Sequence, residues 1–145
     1  MSIKTKKSFQ EIRREARILA FQTLFAFGFN KKPIEELLKF DWLEQKYPDK
    51  TVEYAVFIVK GTIENLSVID ETIKSKLKNW DFERISAVDK AVLRFSIFSM
   101  IFEIDVPEKV IMNEAVEISK NFGGEESYKF VNGILNAVKR SKKTS

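Results

Sequence analysis

The sequence predicts an all-α fold of about seven helices, and three observations carry that expectation. Five Gly and three Pro in 145 residues are too few turn-makers for a many-stranded fold. Apolar residues recur at spacings of three and four along most of the chain, and nowhere do they alternate in twos for long. At 44% hydrophobic and 32% charged, the chain resembles a helical globular protein that can bury its core without disulfides. A single domain is expected, with an N-terminal part over about 8–78 and a C-terminal part over about 79–140.

The first helix is expected from Ser8 to Phe27, opened by a capping box in which Ser8 caps an early N–H and Glu11 reaches back. At 100° per residue, Phe9, Ile12, Ala16, Leu19, Ala20, Thr23 and Phe27 share one inward sector. Beside it lie Arg13, Arg14 and Arg17 in the first half and Phe21, Leu24 and Phe25 in the second. The basic half is suited to phosphate. The aromatic half is suited either to a protein partner or to the rest of the fold.

After a loop at Gly28 to Lys32, Pro33 is expected to start a helix reaching about Lys46. A long helical pattern from Thr51 to about Lys78 follows, with Val52, Ala55, Val56, Val59, Ile63, Leu66, Ile69, Ile73 and Leu77 inward and a bend at Gly61 or near Asn65. Asn79 to Ile85 reads as a turn with Trp80 and Phe82 inward. Ser86 and Asp89 form a second capping box for a helix to Glu103 that is apolar on two sides, the mark of a central helix. Asp105 and Pro107 begin the next helix, Gly123 and Gly124 end it, and the last runs from about Ser127 to Arg140 with Tyr128, Val131, Leu135 and Val138 inward.

The chain contains no His and no Cys, which removes thiol and imidazole catalysis and thiolate or imidazole metal sites. No enzyme activity, cofactor or metal is expected. Its apolar runs are broken by charge before they reach membrane-spanning length, and Met1–Lys7 lacks the apolar core of a signal peptide. A cytoplasmic protein without a membrane partner is therefore expected. The net charge of +4 is unevenly placed. Residues 1–17 hold six basic and two acidic side chains and residues 139–145 hold four basic and none acidic, which leaves the body at −4. Such a molecule can hold a polyanion at one place and a basic protein at another.

Several stretches taken together resemble the bacterial transcription antitermination factor NusB. They are Arg13-Arg14-Glu15-Ala16-Arg17, Asn79-Trp80, Val88-Asp89-Lys90-Ala91-Val92-Leu93-Arg94, Asn113-Glu114-Ala115 and Lys129-Phe130-Val131-Asn132-Gly133-Ile134-Leu135. The likeness covers about residues 9 to 138 in order, without large gaps. It implies two small perpendicular helical bundles and a protein that pairs with NusE, a small-subunit ribosomal protein. It also implies binding to the single-stranded boxA RNA of ribosomal RNA operons, within the antitermination complex of RNA polymerase. Glu15 interrupts what is often a denser arginine cluster in that family, and Lys4, Lys6 and Lys7 are placed to compensate.

The RNA contacts expected are therefore Lys7, Arg13, Arg14 and Arg17, with a second contact at Glu126, Lys129 and Phe130, where the resemblance implies RNA. The protein contacts expected are Phe21 and Phe25, with Glu83 and Asp89 where the resemblance places the partner. Three alternatives compete. An appendage of an RNA cytosine methyltransferase lacks its catalytic domain and Cys nucleophile here. A helix-turn-helix DNA binder would carry its basic residues on the second helix of a tight pair, not the first. A protein-only interaction module, in the form of a homodimer hiding the arginines, would show no boxA preference.

Overall fold

The computed structural model describes residues 7–30, 32–78 and 81–144, and among them the regular elements are seven α-helices and one 3-10 turn. They are α1 (Phe9–Asn30), α2 (Ile34–Leu37), α3 (Asp49–Glu64), α4 (Leu66–Lys76), the 3-10 turn (Phe82–Arg84), α5 (Ala87–Phe102), α6 (Glu108–Gly123) and α7 (Glu125–Thr144). The all-α expectation is met. The expectations for Lys4, Lys6, Asn79 and Trp80 lie outside the described residues.

α1 starts at its cap. The Ser8 hydroxyl accepts from the Glu11 N–H at 3.2 Å, and the Glu11 carboxylate meets the Ser8 hydroxyl rather than its backbone N–H. Ala16, Leu19, Ala20 and Thr23 are buried as the helical step requires, whereas Phe9 at the first turn is 65% exposed because no element packs over it. The helix continues past Gly28 to Asn30 instead of stopping in a loop.

α2 is four residues long, not fourteen-odd as its pattern implied. The chain turns at Phe40, whose φ of 57° is left-handed, while the Trp42 indole N–H donates to the Leu37 carbonyl at 2.8 Å. That turn lets Phe40, Leu43 and Tyr47 fold back onto the core, which continued helix would not allow. The long helix expected next is divided at Asn65, whose side-chain amide donates to the Gly61 carbonyl at 2.8 Å. Gly61 itself is needed for close packing, since a Cβ there would run into the Phe98 ring. The inward stripe of α3 is Thr51, Tyr54, Ala55, Ile58, Val59 and Thr62, with Val52, Val56 and Ile63 at its edges.

α5 is the centre of the molecule. α1, α3, α4, α6 and α7 all pack on it, and Val92, Leu93 and every residue from Phe95 to Met100 are buried. This matches a helix apolar on more than one side. α6 ends at Gly124, whose φ of 91° is a conformation that favours glycine. Val131, Leu135 and Val138 of α7 are buried, and Tyr128 is half-buried beneath Lys120.

Candidate nucleic-acid interface

The helical step puts Arg13, Arg14 and Arg17 on one flank of α1, but packing gives each a different setting. Arg14 is the exposed one, its side chain 66% accessible and its Nε 3.3 Å from Glu114 of α6. Arg13 is half-buried, with its guanidinium 3.6 Å from the centre of the Tyr54 ring and 4.7 Å from that of Phe9. Arg17 is buried at 6% exposure and 5.7 Å from the same Tyr54 ring. The single exposed stripe implied by the sequence is thus graded from water to interior. Neither Arg13 nor Arg17 forms a hydrogen bond or ion pair with a described residue. Lys7 instead pairs with Glu15, which cancels part of the compensation expected of it.

Tyr54 is fixed from behind. Its hydroxyl donates to Glu103 Oε2 at 2.5 Å, and the Ser99 hydroxyl donates to Glu103 Oε1 at 2.7 Å. Burial, then the hydrogen bond and negative charge of Glu103, push the phenol pKa from 10.0 up to about 12. The ring is therefore a neutral, anchored plate at neutral pH, and a guanidinium against its face is attracted by the ring quadrupole. Glu103 thus accepts from two hydroxyls beside the arginines that flank Tyr54.

The second half of the flank is aromatic. Phe122, Phe21, Phe25 and Phe29 form a ladder with ring centres 4.8, 6.2 and 6.0 Å apart. Phe21 is 3% exposed, enclosed by the core and by Phe122, so its expected role as a direct partner contact is corrected to a core role. Phe25 is half-buried and Phe29 is 70% exposed, so the open end of the ladder lies further along α1. Glu83 is exposed and 3.8 Å from Lys90. Asp89 is buried and accepts from the Ser127 hydroxyl, while its own N–H is capped by Ser86 at 3.1 Å. Burial raises the Asp89 carboxyl above its usual 3.8, and the Ser127 and Ser86 hydroxyls oppose that shift.

The bond from Ser127 to Asp89 ties the start of α7 to the start of α5, which brings Glu126 and Lys129 near the face that carries Asp89. Glu126 is exposed, Lys129 is exposed and 3.6 Å from Glu125, and Phe130 is half-buried against the core. Among the described residues there is no cluster of acidic residues suited to a metal ion, and no helix is long and apolar enough to cross a membrane.

The sequence model of the NusB family matches residues 14–140. The chain belongs to the NusB family. It is 43% identical over 131 residues to the transcription antitermination protein NusB of Treponema pallidum, across 89% of this chain and 93% of that one. It is also similar to the solved structure of T. maritima NusB, with 39% identity, a TM-score of 0.81 and coverage of 94% and 92%. A solved complex of antitermination factors NusB and NusE with dsRNA matches at 26% identity and a TM-score of 0.82, across 92% of this chain and 99% of that one.

Within this NusB-family fold, sequence reasoning passed over Tyr54, Phe29 and Phe122. Phe29 follows Phe25 by one helical turn, a spacing that would have extended the aromatic face. Tyr54 was hidden because the true inward face of α3 begins with a threonine, Thr51, which an apolar count skips. Nothing local marks Phe122, since its contact with Phe21 crosses about a hundred residues.

Proposed function

We propose that this chain is a transcription antitermination factor that binds the boxA RNA of ribosomal RNA operons together with NusE, as part of the antitermination complex of RNA polymerase. It works by binding, without catalysis, and in the cytoplasm. The observation that carries this reading is the setting of Arg13 and Arg17 against Tyr54, with no acidic partner for either among the described residues. Guanidinium groups held in a fixed plane, with their N–H donors unspent, are suited to phosphate oxygens and to stacking on bases. Arg14 and Lys7 add charge at the rim. Membership of the NusB family and the likeness to a NusB–NusE–dsRNA complex support the same reading.

Glu126, Lys129 and Phe130 form a second RNA contact at the start of α7, with the Phe130 edge for a base and Lys129 for a phosphate. Phe25 and Glu83 face NusE, joined by the open Phe29. Buried Asp89, expected from the sequence as a direct contact, instead supports that face by tying the start of α5 to the start of α7. An acidic face there complements a basic ribosomal protein. Fluorescence anisotropy of labelled boxA RNA, with and without NusE, tests the proposal. Tighter binding of boxA than of a scrambled RNA, enhanced by NusE, is expected; equal binding of both RNAs, or no effect of NusE, would refute it.

A further inference from the structure

A groove of about 740 Å³ lies between the start of α1 and the corner joining α5 to α6, and Arg17 reaches into it. Arg17 is 6% exposed and 5.7 Å from the centre of the Tyr54 ring, and among the described residues no ion pair takes up its charge, which leaves that charge to an anion in the groove. Arg13 lines the same wall on its Tyr54 plate. The apolar part of the lining is open to water: Phe57, whose ring stacks 6.1 Å from that of Tyr54, and Phe102 are each about half exposed, and both rings lean on buried Phe98, at 5.7 and 5.4 Å. Exposed planar rings beside a guanidinium that no carboxylate pairs with are the two halves of a nucleotide site.

The charge count of the groove narrows the ligand. Three carboxylates also line it. Glu114 is paired with Arg14, while Glu103, which keeps its charge as it accepts from the Tyr54 and Ser99 hydroxyls, and Asp105 at the rim balance Arg13 and Arg17. A run of phosphates is disfavoured by such balance, whereas one phosphate joined to an uncharged base is not. Exposed Gln10 and Asn113 offer amides that can bond a base edge. The volume falls in the usual range for small-ligand sites.

We propose that this groove takes one unpaired nucleotide of the bound RNA, its phosphodiester against Arg17 and Arg13 and its base on the wall of Phe57 and Phe102. The inference rests on the RNA-binding reading and adds a base-holding site to it. An abasic scan of boxA RNA, run with NusE on the wild type and on Phe57→Ser/Phe102→Ser, tests it; circular dichroism confirms that the variant is folded. One abasic position should weaken wild-type binding by about tenfold, as the loss of a stacked base does, and should have no further effect in the variant. Arg17→Met should weaken binding of intact and abasic RNA alike. Abasic penalties that match in wild type and variant at every position, with RNA still bound, would overturn the pocket and leave the RNA reading standing. Absence of RNA binding by the wild type would overturn both. Binding of AMP or UMP in the groove that boxA RNA does not displace would give it to free nucleotides and overturn the proposal as well.

Discussion

At the scale of single residues, Tyr54 has the largest consequence. Its folded pKa, about 12, lies above the ordinary 10.0, so the folded chain holds the phenol proton more tightly than the unfolded chain does. That contribution to stability is complete below pH 10.0 and is lost as pH rises through about 12. Urea midpoints followed upward through pH 10.0 should therefore fall more steeply for the wild type than for Tyr54→Phe, and parallel curves would deny the shift. Asp89 works in the acid range. Its raised carboxyl makes the folded state the better proton binder, so stability declines as pH rises from 3.8 through the raised value. Asp89→Asn should flatten that decline in thermal melts. The sequence showed Ser86 as the cap but not the destination of the Asp89 carboxylate, because Ser127 is remote in sequence and meets it only through tertiary packing.

At the scale of elements, the aromatic half of α1 divides between core and surface. Phe21→Ala should cost about 3–5 kcal/mol of stability, since it opens a cavity between α1 and α6. Phe25→Ala should cost less stability and more affinity for NusE; chemical denaturation and a pull-down separate the two effects. Gly61→Ala should destabilise by about 1–3 kcal/mol through overpacking against Phe98, and an unchanged urea midpoint would show that Phe98 has room to move. Helices with a clear period, α1 and α5 to α7, were legible from the sequence to within a turn or so. α2 was not, since the periodic pattern of residues 33–46 also serves a turn that returns Phe40 and Leu43 to the core. The break at Asn65 was legible as a candidate and depends on a side-chain bond to Gly61.

At the scale of the whole molecule, α5 receives every long helix, which predicts a single cooperative unfolding transition. Coincident melts by far-ultraviolet circular dichroism and tryptophan fluorescence would bear that out. The charge layout of basic ends on an acidic body was readable directly, and so was the flank holding the arginines. Their grading from exposed Arg14 to buried Arg17 was not, because helical angle alone does not say which neighbour covers a flank. That grading decides which arginine to replace. A carboxylate at position 17 would be buried and would confound folding with binding, whereas position 14 is open to water. The most direct measurement is the salt dependence of boxA affinity, with NusE present, for the wild type and Arg14→Glu. If about four cations of this chain neutralise RNA phosphates, they contribute a slope of roughly −3 to log K against log salt, and loss of one contact makes the slope shallower by about 0.7. Weaker binding and that shallower slope are expected for folded Arg14→Glu; an affinity and a slope identical to wild type would contradict an RNA contact through the arginine flank.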